Sequence, residues 1–150
     1  MYKHILFPTD GTETSRKVEA HVMALARAFQ SRITILHAYE FLEVLPVYEA
    51  TYAYLNELET YLEGQSQEVA LQCEARLKAD GHEVQTLVLK GDPGHGVVST
   101  AEEQGCDLIV MGSRQHGAVR RFLLGSVSNY VVHHSECPVL IVPAQAEETA

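Results

Sequence analysis

The chain has 150 residues, 46% of them hydrophobic and 21% charged, with a formal net charge of −9. That length suits one domain, expected over 1–150, with apolar material enough for a sizeable core. The acidic balance excludes a nonspecific grip on nucleic acid, which needs a basic face, and no apolar run approaches the roughly 20 residues that cross a membrane.

The N-terminal stretch MYKHILFPTD holds only Ile5-Leu6-Phe7 before Pro8. That is too short for a signal peptide, so a cytoplasmic protein is expected. HILF (4–7) reads as a first strand, and Pro8-Thr9-Asp10-Gly11 reads as the turn after it. Val18, Val22, Leu25 and Phe29 then recur at helical spacing and form one apolar face. ITILHAY (33–39) is a nearly continuous apolar run, the mark of a strand buried on both faces.

A long connection is expected next, at 41–54, with aromatics to pack against the following helix or meet a partner. Leu55, Leu58, Leu62, Val69, Cys73 and Leu77 carry a second helix to Asp80-Gly81. VQTLVLK (84–90) is the third strand. Asp92-Pro93 then supplies an N-cap followed by a proline in the first helical position. The third helix stops near Gly105, and LIVMG (108–112) is the fourth strand.

From Leu108 to Ser135 there is no Asp or Glu, while Arg114, Arg120, Arg121, His116, His133 and His134 all fall within it. A carboxylate-free basic stretch in an acidic chain is a place for an anion. A fourth helix opens at Gly125-Ser126, PVLIVP (138–143) is the fifth strand, and the tail at about 144–150 is expected to fray. The order β-α-β-α-β-α-β-α-β, with short links and right-handed crossovers, predicts a Rossmann-like open five-stranded parallel α/β sheet with helices on both faces. Cys73, Cys106 and Cys137 make no C-x-x-C pair and read as small thiols in a reducing compartment.

Ligands of such sheets sit beyond the carboxyl ends of the strands, where strand order reverses. The segments after the first and fourth strands can meet there. Gly125-Ser126 at a helix entrance offers free N–H groups and the positive end of the dipole to phosphate oxygens, and the Ser126 hydroxyl can cap the helix or donate to the anion. Asp10 can accept from an adenine amine or a ribose hydroxyl, help hold Mg²⁺, or cap the first helix. Gly112 and Gly117 have the outer spacing of a phosphate loop, but Ala118-Val119 stands where Lys-Ser/Thr is needed, and no G-x-G-x-x-G follows the first strand.

ILFPTDGTETS (5–15), GDP (91–93), CDLIVMGSR (106–114), LLGSVSNYVV (123–132) and CPVLIVP (137–143) together resemble the universal stress protein family. The resemblance implies strand order 3-2-1-4-5 and a homodimer formed through the edge strand at 137–143. It further implies a regulatory protein of the stress response that binds ATP, with Mg²⁺. The ATP-binding subclass carries G-x2-G-x9-G-(S/T). Gly112 matches its first glycine and Gly125-Ser126 its last pair, while Gln115 occupies the middle glycine. By the same resemblance Pro8, Thr9 and Asp10 line an adenine pocket and Ala38 lies near the sugar. Ser113, Arg114, Gln115, His116, Gly117, Ser126, Val127 and Ser128 surround the phosphates, with Met111, Gly112 and Gly125 completing the set. Two other functions stay open at this point. One is a nucleotide-free interaction protein in which Gln115 marks the loss of the site. The other is a slow ATP hydrolase, for which no residue stands out as a base to activate water.

Overall fold

The five apolar runs become β1 (His4–Pro8), β2 (Arg32–Tyr39), β3 (Val84–Lys90), β4 (Leu108–Gly112) and β5 (Val139–Val142). Between them run α1 (Glu13–Phe29), α2 (Glu49–Ala79), α3 (Pro93–Gln104) and α4 (Ser126–His134). The computed structural model describes residues 1–40, 49–113 and 124–143. The strands form one parallel sheet in the order β3-β2-β1-β4-β5, the order the resemblance implies.

Each face of the sheet carries its own apolar core. Ile5, Phe7, Ile33, Ile35, Leu108 and Val110 pack with Val18, Val22 and Ala26 of α1 and Cys73 and Leu77 of α2. Leu6, Leu36, Ile109 and Met111 pack on the other side with Val97 and Ala101 of α3 and Val131 of α4. Strands with both faces covered explain why these runs are continuous rather than alternating. A charged pair also links α1 to α2. Glu19, with a side chain only 5% exposed, accepts from Arg76 Nε at 2.8 Å and Nη2 at 2.9 Å. The bidentate geometry satisfies both oxygens of a carboxylate that would be costly to bury alone. Burial pushes the Cys73 and Cys106 thiols up to about 12. Both are therefore buried thiols rather than nucleophiles, and Cys73 Sγ–H donates to Glu19 Oε2 at 3.7 Å.

Several sequence boundaries move: β1 takes in Pro8, which was read as the first residue of the turn, β2 begins one residue early at Arg32, and two shifts are larger. The connection expected at 41–54 is shorter, because α2 already begins at Glu49. The Glu49–Leu55 stretch contains no Gly or Pro to stop helix growth, and Glu, Ala and Leu favour it. Tyr54 in this first part of α2 is 65% exposed, so of the two roles expected for those aromatics, packing or meeting a partner, it does not take the packing one. The fifth strand narrows from 138–143 to Val139–Val142, flanked by Pro138 and Pro143. A proline has no N–H for a ladder, yet its carbonyl still serves: Ile109 N–H donates to Pro138 O at 3.0 Å.

Candidate functional site

The sheet grows from β1 to β2 and β3 on one side and to β4 and β5 on the other. Beyond the carboxyl ends of the strands at this reversal lies a cavity of about 460 Å³. This is the position that open α/β sheets use for ligands.

The corner after β1 forms one wall. Pro8, Thr9, Asp10, Thr12, Thr14 and Ser15 all line the cavity. The polar groups of Thr9, Asp10, Thr12 and Ser15 are already engaged with one another. The Thr9 and Ser15 hydroxyls share a hydrogen bond, and Gly11 N–H donates to Thr9 Oγ1 at 3.2 Å. Thr12 donates to Asp10 Oδ1 from its N–H at 3.0 Å and from its hydroxyl at 2.6 Å. The α1 N-cap is Thr12, whose Oγ1 accepts from Ser15 N–H at 3.3 Å. The capping role considered for Asp10 therefore belongs to Thr12, which holds the extended dihedrals a cap needs, φ −74° and ψ 167°. Asp10 instead fixes the cap residue. Gly11 is required here, with φ +75°, and a Cβ would come within 2.6 Å of Val69 Cγ1.

The strand β2 supplies the next wall. Leu36, Ala38 and Glu40 sit two residues apart and all line the cavity, as a strand's period of two requires. His37, between them, is buried on the opposite face with its Nδ1 unpartnered. Burial lowers the His37 pKa, opposed by the charge of Asp10, so the ring is neutral near pH 7. The helix α3 adds Pro93 and Val97. Its own N-terminus is closed by Asp92, which accepts from His95 N–H at 2.9 Å.

The end of β4 and the start of α4 complete the enclosure. Met111, Gly112, Ser126, Val127 and Ser128 line it. Gly112 lies against α1, where an added Cβ would meet Val18 Cγ2 at 3.3 Å. The N-cap of α4 is Gly125, and no side chain caps the helix. The capping role considered for Ser126 is not taken up, because Ser126 is the first helical residue and Gly125 holds the cap position. The hydroxyl of Ser128 donates back to Gly125 O at 3.1 Å, and the intrahelical ladder begins with Asn129 N–H to Gly125 O at 2.9 Å. The N–H groups of Ser126, Val127 and Ser128 precede that bond, and all three residues line the cavity.

Of the residues singled out from sequence, Pro8, Thr9, Asp10, Ala38, Met111, Gly112, Ser126, Val127 and Ser128 are brought together here. Ser113 and Gly125 are not among the described lining residues, and Ser113 N–H donates to Val142 O at 3.2 Å. Arg114, Gln115, His116 and Gly117 lie outside the described residues. Sequence reasoning missed Thr12, Thr14, Ser15, Val18, Leu36, Glu40, Pro93 and Val97. The alternation Leu36-Ala38-Glu40 and the N-cap signal Asp92-Pro93 could have pointed to several of these. Among the described residues, no group of three side chains is arranged to hold a metal ion.

The model of the universal stress protein family matches residues 1–143. The chain belongs to the universal stress protein family. It is 31% identical over 150 residues to universal stress protein MJ0531 of Methanocaldococcus jannaschii, covering 99% of this chain and 86% of that one. A universal stress protein of Thermus aquaticus is 34% identical over 142 residues, covering 95% and 99% of the two chains. Among solved structures, hypothetical protein MJ0577 is 31% identical with a TM-score of 0.84, covering 98% of this chain and 99% of its own. A universal stress protein in complex with cAMP is 26% identical with a TM-score of 0.67, covering 95% and 97% of the two chains. Among the described residues of this family member, no helix is long and apolar enough to cross a membrane.

Proposed function

We propose that this universal stress protein binds an adenine nucleotide, ATP, in the cavity beyond β1 and β4, and acts as a regulatory homodimer of the stress response in the cytoplasm. The observation that carries the reading is the N-terminus of α4, which has no side-chain cap among the described residues and whose first three residues line a cavity of about 460 Å³. Such an entrance attracts phosphate oxygens through both hydrogen bonds and the helix dipole. A cavity of this size falls in the usual range for small ligands. The relative solved with cAMP supports a nucleotide of the same base.

In this reading the phosphates lie on Ser126, Val127 and Ser128, and Gly112 with Gly125 lets the backbone come close. Pro8, Thr9, Asp10, Ala38 and Met111 surround the nucleoside. Ser113, Arg114, Gln115, His116 and Gly117 are proposed for the phosphate side, with Arg114 as a source of positive charge. A Mg²⁺ ion fits as a companion of the phosphates, which would provide most of its oxygens while Asp10 supplies one carboxylate. No residue stands out as a base placed to activate water, so binding rather than turnover is the proposed role. The edge position of β5 and the 39% exposure of Leu140 on it support self-pairing around a two-fold axis.

Acid release of bound nucleotide from the purified protein, with titration calorimetry against ATP, tests the site. ATP that neither copurifies nor binds at millimolar concentration would assign the fold to protein–protein interaction instead. Light scattering at micromolar concentration tests the assembly, and a monomer there contradicts the dimer.

A further inference from the structure

Two charged side chains line the cavity among the described residues, and both are acidic: Asp10 and Glu40. Their situations differ. Asp10 is committed to the α1 corner, where its Oδ1 takes the N–H and hydroxyl of Thr12. Glu40 follows directly after β2, is exposed, and lines the cavity two residues beyond Ala38 and four beyond Leu36. Four residues of extended chain span about 13 Å, so this row runs from the cavity floor to its mouth.

A carboxylate repels phosphate and accepts hydrogen bonds from hydroxyl or amine donors. The phosphate-attracting groups lie on α4, which packs beside α3 and β5, whereas Glu40 extends from β2 on the other side of β1. Glu40 therefore faces the nucleoside end of a bound nucleotide. A purine base is flat and apolar enough to take the floor at Leu36 and Val97 beside Pro8, Thr9 and Asp10, with Ala38 next to the sugar. The sugar then stays at the mouth, where its 2′ and 3′ hydroxyls can donate together to one carboxylate. Other doubly wound folds read the ribose with an acidic residue near the end of their second strand, for the same physical reason.

We infer that Glu40 is the residue that makes this cavity prefer ribonucleotides over 2′-deoxyribonucleotides, by accepting the ribose hydroxyls. The inference rests on the nucleotide-binding reading above. The discriminating quantity is the ratio of dATP to ATP dissociation constants. That ratio cancels any uniform change in the repulsion between Glu40 and the triphosphate. A hydrogen bond to a charged acceptor makes the wild-type ratio about ten or more.

Titration calorimetry with ATP, dATP and inosine triphosphate on wild type, Glu40→Ala and Glu40→Gln tests this, with melting temperatures to confirm folding. The expected result is a ratio near one in Glu40→Ala and an intermediate ratio in Glu40→Gln. A wild-type ratio near one, or a ratio unchanged in Glu40→Ala, overturns the inference while leaving nucleotide binding intact. If Glu40→Ala instead erases discrimination between ATP and inosine triphosphate, leaving the dATP ratio alone, Glu40 reads the base amine and the ribose assignment is wrong. No ATP binding by wild type overturns the site reading itself, and this inference with it.

Discussion

Three helices present their N-termini to one cavity, and two of them are closed. At α1 the Thr12 hydroxyl takes a free N–H, with Asp10 holding Thr12 in place. At α3 the Asp92 carboxylate does the same work, and Pro93 removes a donor that would otherwise be orphaned. At α4 the cap position is Gly125, which has no side chain to offer. The φ of Gly125 is −66° and its ψ is 168°, dihedrals that any residue adopts. Glycine is therefore not there for backbone freedom. Its effect is to leave the N–H groups of α4 without a side-chain cap among the described residues. Closed entrances stabilise the fold, and the open one is available to a ligand.

Closing the open entrance should have the largest effect. Gly125→Asp puts a capping carboxylate where phosphate is proposed to lie. ATP affinity should fall by about a hundredfold or more, while stability rises by a few tenths of a kcal/mol. Calorimetry and denaturant melts of the same variant measure both. Unchanged ATP affinity in a capped, folded variant would remove α4 from the site.

Disturbing the closed α1 corner should act on stability. Gly11→Ala forces a left-handed backbone on alanine and drives its Cβ toward Val69. A loss of about 2–3 kcal/mol in urea unfolding is expected. Opening the α3 entrance should cost less. Asp92→Ala removes one cap, for about 1 kcal/mol. It should leave ATP affinity nearly unchanged, because an opened α3 is not the phosphate site. Tighter ATP binding in Asp92→Ala would mean that any uncapped entrance suffices, and the contrast with α4 would lose its meaning.

The smallest effect concerns pH. His37 beside the α1 corner and His4 at the start of β1 are both buried, and each has an Nδ1 without a partner. Burial lowers both pKa values, with Arg32 adding to the effect at His4. For a base held below its unfolded pKa of 6.5, the unfolded chain binds protons first as pH falls. Stability should thus be full above about pH 7 and decline as pH drops through 6.5. Urea melts at pH 7.5 and 5.5 measure the decline, which should shrink in His37→Gln.

The fold was legible because its signals are local. The continuous runs at 33–39 and 108–112 announce buried parallel strands, and Asp92-Pro93 announces the start of α3 within two residues. Gly105 at the end of α3 is likewise readable, and it takes the left-handed φ of 65°. The site was legible in part. Gly112, Ser126 and Asp10 could be named because phosphate and helix entrances favour those residue types. Glu40 was passed over because the second strand was read as ending at Tyr39, although a period of two already puts it on the face of Ala38. Asp10 and Thr12 are both capping residues by type, and the Thr12 dihedrals together with its bond from Ser15 N–H decide between them. The start of α2 was missed because nothing between Glu49 and Leu55 breaks a helix, while the aromatics there suggested a loop.

The central claim is that the open entrance of α4 receives phosphate. Amide resonances of Ser126, Val127 and Ser128, followed by two-dimensional NMR during titration with ATP and separately with adenosine, test it most directly. The account predicts large shifts of all three amides with ATP and small ones with adenosine, which fills the cavity without a phosphate. Equal shifts with both ligands, or none with ATP bound, would contradict it.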